Sequence, residues 1–154
     1  MNAPLLLHAT AVAVEGGAVL LRGPSGAGKS DLALRLIDAG ALLVADDQCE
    51  LRRAGDHVLV RAPPAIAGLI EVRGLGVLAV GAIGDVPLVL VADLVDAGEV
   101  ERLPAKRAVE LCGIPVPLIA LAPFEASAAA KLRLALRVLR TPAPAPGSGA
   151  AHGL

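Results

Sequence analysis

The chain contains no tryptophan, no tyrosine and a single phenylalanine, Phe124, among its 154 residues. With so little aromatic surface, its core has to come from alanine, valine and leucine on strands and helices, which dominate the 55 % apolar fraction. A bound nucleobase would not lie between two aromatic rings. Missing too is a basic stripe, since 14 Lys and Arg stand against 15 Asp and Glu for a net charge of −1. Nucleic-acid binding therefore lacks both its electrostatic footprint and its stacking platform. Cys49 and Cys112 form neither a metal-like nor a redox-like pair and are expected as small core residues. No apolar run reaches the roughly 18 residues of a membrane-spanning helix, and the start, Met1-Asn-Ala-Pro-Leu-Leu-Leu, has no basic leader. These absences predict a soluble, cytoplasmic protein of one domain over residues 1–140. Residues 141–154, rich in Pro, Ala and Gly and without periodicity, read as a disordered tail, and His152 within it receives no role.

What is present centres on Gly23-Pro24-Ser25-Gly26-Ala27-Gly28-Lys29-Ser30, which fits Gly-x4-Gly-Lys-Ser/Thr between an apolar strand-like run and a helix-like run. Glycines at these positions let successive backbone N–H groups turn inward around a polyphosphate. Lys29 reaches the β- and γ-phosphates as a point charge, and the Ser30 hydroxyl can hold Mg2+. The N-terminus of the following helix adds its own free N–H groups to the same anion.

Before this loop, residues 9–22 read as two strands joined at Gly16-Gly17. If Glu15 pairs with Ala18, paired numbers sum to 33, and His8 falls opposite Ser25. So placed, His8 either bonds a γ-phosphate or a catalytic carboxylate, or simply ends a strand in solvent. After the loop, a helix is predicted from Ser30 to Ala39, with Leu32, Ala33, Leu36 and Ile37 on one side, Asp31 and Arg35 on the other, and Gly40 as its stop. Ala41-Leu-Leu-Val-Ala45 has the uninterrupted apolar character of a strand buried on both faces, and it ends in Asp46-Asp47. A carboxylate there, 17 positions beyond Ser30, suits a metal ligand or a group that orients the nucleophile. Neighbouring strand residues point to opposite faces, so the two aspartates share a role only if the chain turns between them.

Further along, a hairpin is expected around Ala54-Gly55-Asp56, with His57 at the surface. Glu71 and Arg73 then share one face of a strand. They either complete a magnesium and phosphate site or form an outward-facing pair. Leu88 to Ala92 reads as another buried strand, Asp93 to Arg107 as a solvated loop and edge, and Ile114 to Leu121 as an edge strand because of Pro115 and Pro117. A helix is expected from Ala126 to Arg140, with Leu132, Ala135, Leu136 and Leu139 inward.

Taken together, His8, the loop 23–30, Leu43-Val-Ala-Asp-Asp47 and Ile70-Glu-Val-Arg-Gly-Leu-Gly76 resemble the HPr kinase/phosphorylase family, over roughly residues 5 to 121. The order and spacing of four motifs make this more specific than a phosphate loop alone. The resemblance is to a short form with only the catalytic domain. It implies an α/β, P-loop-containing, phosphoenolpyruvate-carboxykinase-like fold, a mixed sheet with hairpins and flanking helices. It also implies ATP and Mg2+ as cofactors and transfer of phosphate to a serine of an HPr-like phosphocarrier of the sugar phosphotransferase system. His8 would then sit in the catalytic centre and Lys29 would contact the γ-phosphate. Ser30 and Glu71 would hold Mg2+ with support from Asp46, Asp47 would accept the serine proton, and Arg73 would join the catalytic set through the signature spanning residues 70 to 79.

Two departures qualify what the resemblance carries over. The long members have an N-terminal domain and a hexameric assembly, so for this chain a homo-oligomer stays open. They also carry a Pro-Gly-Arg-Asn-like segment with a catalytic arginine after the last strand, where this chain reads Ala122-Pro-Phe-Glu-Ala-Ser127. The latter puts the dephosphorylating reaction in question. It also keeps two alternatives in play, a nucleotide-sensing regulator without transfer and a different P-loop kinase or triphosphatase for a small molecule.

Overall fold

Residues 3–140 are described in a computed structural model of the chain, and the expected tail with His152 lies outside them. Eleven strands and two helices occur among these residues: β1 (Leu5–Leu7), β2 (Thr10–Val14), β3 (Gly17–Arg22), α1 (Lys29–Asp38), β4 (Leu42–Ala45), β5 (Cys49–Ala54), β6 (His57–Arg61), β7 (Leu69–Val72), β8 (Gly76–Ala79), β9 (Val86–Leu94), β10 (Arg107–Leu111), β11 (Ile114–Leu121) and α2 (Ala128–Arg140). The main sheet runs β1-β5-β6-β9-β3-β2-β4, and β7 and β8 form a hairpin of their own. Strand β9 is the junction. β3 lies parallel along one edge of it, while the other edge takes β6 antiparallel at its start and β11 parallel at its end.

This branching folds the sheet so that both of its faces are covered. On one face Val19 and Leu21 of β3 and Leu90 and Ala92 of β9 pack against Leu32, Ala33 and Leu36 of α1 and Leu132, Ala135 and Leu136 of α2. On the other, Ala18 and Leu20 of β3 meet Leu51, Val58 and Val60 of the β5–β6 hairpin and Leu111 and Val116 of the β10–β11 hairpin. The two-residue period of a strand sorts alternate side chains into these two cores. A mixed α/β architecture with hairpins and flanking helices is therefore present, made almost wholly of aliphatic side chains. No helix among the described residues is long and apolar enough to cross a membrane.

Several details differ from the sequence-based expectations. The β2–β3 hairpin turns at Glu15-Gly16, both with positive φ (50° and 84°), and Val14 pairs with Gly17. Paired numbers thus sum to 31 rather than 33, and the turn is of the mirror-image type that matches strand twist. Gly17 serves packing instead, since a Cβ there would lie 2.8 Å from Cγ2 of Val89. Strand β4 is buried from Leu43 to Ala45, but Leu42 at its start is exposed. Asp93 is not in a solvated loop, because it lies within β9, and Arg107 opens β10.

Nor is β11 an edge, since it lies between β10 and β9. The two-residue turn Cys112-Gly113 makes Leu111↔Ile114 the first hydrogen-bonded pair, so the nitrogens of Pro115 and Pro117 face away from β10. β9 pairs with β11 only from Leu118 onward, past both prolines. The prolines are accommodated by this delay rather than by an edge position. Cys49 is buried, as expected, whereas Cys112 is half-buried in that turn, with φ of 51°. Arg73 lies beyond the end of β7, in the β7–β8 turn, so it does not share a strand face with Glu71.

Candidate functional site

The phosphate loop leaves β3 after Arg22 and enters α1 at Lys29, so residues 23–28 form the strand-to-helix connection that the spacing predicts. Gly28 caps the helix with φ of 99°, a left-handed conformation that strains any residue with a Cβ. Lys29 is only 6 % exposed. Its Nζ donates to the carbonyl oxygens of Gly23 (2.5 Å) and Pro24 (3.1 Å), spanning the loop from the helix side. Below the loop, Arg22 and Asp93 are cross-strand partners, and the guanidinium grips the carboxylate with two bonds, 2.7 and 3.0 Å. That bidentate pair clamps β3 to β9 one residue before the loop begins.

Asp46 is the meeting point of four segments. Its Oδ1 accepts from Ser30 Oγ at 2.7 Å and from Thr10 Oγ1 at 3.1 Å, and its Oδ2 accepts the backbone N–H of Glu71 at 3.0 Å. A carboxylate this well buried needs such donors in place of water. Asp47, by contrast, faces solvent. Its φ of 69° turns the chain between the two aspartates, and its backbone N–H donates to Thr10 Oγ1 at 3.1 Å. Nε2 of His8 lies 3.1 Å from Asp47 Oδ1, with both side chains more than half exposed (55 % and 60 %). The chain does turn between the neighbours, the condition under which the sequence allows a shared role, yet their contacts differ. One is locked to the phosphate-loop serine, and the other is presented to solvent with a histidine beside it.

The predicted residues are brought together unevenly. The loop 23–28, Lys29, Ser30, Asp46, Asp47 and His8 converge on one region. Glu71 joins it through its backbone, not its exposed carboxylate, and exposed Arg73 makes no hydrogen bond or ion pair with Asp46 or Asp47 among the described residues. Sequence reasoning missed Thr10, whose single hydroxyl holds both aspartates. A lone hydroxyl in an apolar strand, two residues past His8, was the available signal. It also missed the partner of Arg22, although a charge at the end of an otherwise buried strand demands one.

Beside the loop lies a cleft of about 630 Å3, bounded by Pro24 to Ala27, by the segment after β9 and by the β11–α2 connection. Arg35 of α1 ties that connection down, donating to the carbonyl oxygens of Pro123 and Glu125 while its own orientation is set by Asp31. Behind the site, the Cys49 thiol is pushed up to about 12, first by burial and then by the negative charges of Asp46 and Asp47. It is an unreactive wall, donating to the Ala9 carbonyl.

Comparison with known proteins identifies the family. Residues 2–122 match the family model described as HPr Serine kinase C-terminal domain. The HPr kinase/phosphorylase of Caldicellulosiruptor bescii is 40 % identical over 124 residues, covering 73 % of this chain and 40 % of that protein. That of Burkholderia lata is 42 % identical over 121 residues, covering 71 % and 38 % respectively. The chain therefore spans about 40 % of the length of these curated relatives. Among solved structures, the Hpr(Ser) kinase/phosphatase from Coxiella burnetii superposes with a TM-score of 0.73 at 26 % identity, over 88 % of this chain and 93 % of that one. With the phosphate loop, the paired aspartates and the β7 strand all inside the matched region, this chain belongs to the HPr serine kinase C-terminal domain family.

Proposed function

We propose that this domain is an ATP- and Mg2+-dependent serine kinase of phosphoenolpyruvate-carboxykinase-like fold, acting in the cytoplasm on an HPr-like phosphocarrier and so regulating carbon metabolism. The observation that carries the reading is the division between Asp46, bonded to Ser30 of the phosphate loop, and Asp47, presented beside His8. A triphosphatase needs a water-orienting group, whereas a protein kinase needs an accessible carboxylate to receive a hydroxyl from outside. Asp47 has that accessibility.

The residues fit a magnesium nucleotide. Ser30 Oγ and Asp46 Oδ1, 2.7 Å apart, are hard oxygen donors of the kind Mg2+ takes alongside phosphate oxygens. No group of three or more His, Cys, Asp or Glu side chains gathers as a metal cage among the described residues, which suits an ion that keeps most of its shell from substrate and water. Bound Mg2+ would supply charge neutralisation for the transferring phosphoryl group. Lys29 neutralises the γ-phosphate from within the loop, and the loop N–H groups with the start of α1 receive the remaining oxygens. Asp47 orients the incoming serine hydroxyl and takes its proton on a carboxylate oxygen, with His8 Nε2 holding the carboxylate in position. Glu71 and Arg73 are assigned to the metal and catalytic sets from the β7–β8 hairpin, whose backbone is already bonded to Asp46.

The reading is restricted to phosphorylation, because Ala122 to Ser127 replaces the arginine-bearing segment of the long members. That same replacement favours a second reading, a nucleotide-sensing regulator that transfers nothing. The test is transfer of labelled γ-phosphate from ATP to purified HPr with Mg2+, with Lys29→Ala and Asp47→Asn in parallel. Labelled phosphoserine with the wild type and little with either variant supports the kinase. ATP binding without labelling in any of the three supports the regulator.

A further inference from the structure

Phe124 is the only aromatic residue of the chain, and it stands 72 % exposed on the β11–α2 connection. Leaving the largest apolar side chain of an aliphatic protein in water is unfavourable unless something covers it. Its backbone is nonetheless fixed, since Arg35 donates to the carbonyls of Pro123 and Glu125 on either side of it. Arg35 belongs to α1, the helix that starts at the phosphate loop, so ring and loop share one rigid support. The ring also touches the loop itself, because a Cβ on Gly28 would lie 3.0 Å from its Cε1 and Cζ.

The ring borders the cleft of about 630 Å3 that Pro24 to Ala27 also line, a volume within the usual range for a small-molecule site. Three carboxylates, Asp96, Glu99 and Glu125, line this cleft and no lysine or arginine does, although Glu125 is paired with Lys131 at 2.9 Å, which leaves Asp96 and Glu99 as the acceptors. Such a lining repels phosphate and accepts from N–H donors. A polyphosphate therefore stays on the loop, and the uncharged end of the same ligand is what the cleft suits. A flat ring with exocyclic or ring N–H groups satisfies both the exposed phenyl face and the acceptor rim.

We infer that Phe124 is the stacking platform for the purine base of the bound nucleotide, held in place by Arg35. The inference rests on the phosphate-loop reading above. It is consistent with the expectation drawn from aromatic scarcity, since a base here lies against one ring and not between two.

The experiment compares the affinities of ATP and inorganic tripolyphosphate, each with Mg2+, for the full chain by calorimetry. Tripolyphosphate occupies only the loop, so the wild type should bind ATP more tightly. Phe124→Ala should weaken ATP about tenfold or more and leave tripolyphosphate within about twofold, and Phe124→Trp should restore ATP binding. Lys29→Ala should weaken both ligands. In NMR spectra the protein has one phenyl ring, and saturating its resonances should transfer to the adenine H2 and H8 protons of ATP. Equal loss of both ligands in Phe124→Ala, or no loss of either, overturns the inference while leaving the phosphate loop intact. If the wild type binds neither ligand, the phosphate-loop reading falls and takes the inference with it.

Discussion

Ser30 Oγ donates to Asp46 Oδ1 across 2.7 Å, joining the first turn of α1 to the end of β4. The bond links the last residue of the glycine-rich motif to a carboxylate that also receives Thr10 from β2 and the backbone of Glu71 from β7. Four segments distant in sequence thus depend on one side chain, and its removal separates structural from chemical roles. Asp46→Ala strands three donors in a buried setting, and the expected loss is about 2–4 kcal/mol of unfolding free energy in urea. Asp46→Asn can turn its oxygen to the Glu71 N–H and its amide to the two hydroxyls, which rotate to accept, so its loss should be about 1 kcal/mol. The amide carries no charge, however, and the Mg2+ concentration needed for half-maximal nucleotide binding should rise. Equal stability of the alanine and asparagine variants would contradict the hub role.

At Asp47 the backbone and the side chain make different demands. Its φ of 69° is one that Asp and Asn tolerate better than most residues. Asp47→Asn should therefore keep the fold and ATP affinity while reducing phosphate transfer roughly 10²- to 10⁴-fold. Asp47→Ala should add a stability loss of about 1 kcal/mol, because alanine resists the left-handed region. His8→Gln, which keeps a donor near Oδ1, should reduce transfer less than His8→Ala. Single-turnover transfer alongside thermal unfolding separates these effects, and a His8→Ala variant with unchanged transfer would remove His8 from the mechanism.

Thr10 leads to a similar contrast. Its hydroxyl donates to Asp46 and accepts from the Asp47 backbone, so it fixes the turn that separates the two carboxylates. Thr10→Val preserves shape and removes both bonds, and should lower stability by about 1–3 kcal/mol. Thr10→Ser keeps the hydroxyl and should recover most of the transfer rate. If valine and serine behaved alike, the turn would be held by other contacts.

How much of this was readable beforehand is clearest in a repeated tetrapeptide. Leu43-Val-Ala-Asp46 and Leu90-Val-Ala-Asp93 are identical, yet one aspartate serves the phosphate loop and the other pairs with Arg22. The apolar residues announced a buried strand in both cases, and that held for β4 from Leu43 and for β9. Only the sheet order decided the use of each carboxylate, since β9 lies beside β3 and places Asp93 opposite Arg22. Local spacing likewise located the strand-to-helix loop and α1, and it put Asp46-Asp47 directly after β4. It could not reveal that β11 has two neighbours, because β10 is too polar to announce itself beside the charged run before it. The hairpin register slipped because two adjacent glycines offered two turns, and only in the folded sheet does Gly17 show its own reason for being glycine, the lack of room for a Cβ beside Val89.

Arg22 and Asp93 join the ends of β3 and β9 by two charge-assisted bonds, each side chain about a third exposed (32 %). Partial exposure limits what the charges contribute, so a double-mutant cycle of Arg22→Gln and Asp93→Asn should give a coupling of about 1–2 kcal/mol rather than the larger value of a fully buried pair. Because the pair sits one residue before Gly23, each single variant should also weaken tripolyphosphate binding. Arg22→Lys, which loses the fork geometry, should behave nearly as Arg22→Gln in that assay. A coupling near zero with unaltered phosphate binding would show that the strands hold the loop without the clamp.

The Cys49 thiol, raised to about 12 by burial and by the charges of Asp46 and Asp47, gives the protein a sign-determined response to alkali. In the unfolded chain a cysteine ionises near pH 8.5. Between that value and 12 the native state keeps a proton that the unfolded state has released, so native stability falls as pH rises, by up to about 1.4 kcal/mol per pH unit. Below pH 8 the thiol is protonated in both states and contributes no slope. Comparing urea midpoints of wild type and Cys49→Ala at pH 7.5, 9 and 10 isolates the effect, because every other titrating group is common to both. The gap between them should shift toward the alanine variant only at the two higher values. In the native protein at pH 8, a thiol reagent should label half-buried Cys112 and reach Cys49 only after denaturant is added. Parallel pH profiles for the two proteins, or rapid native labelling of Cys49, would mean that the wall behind Asp46 admits water.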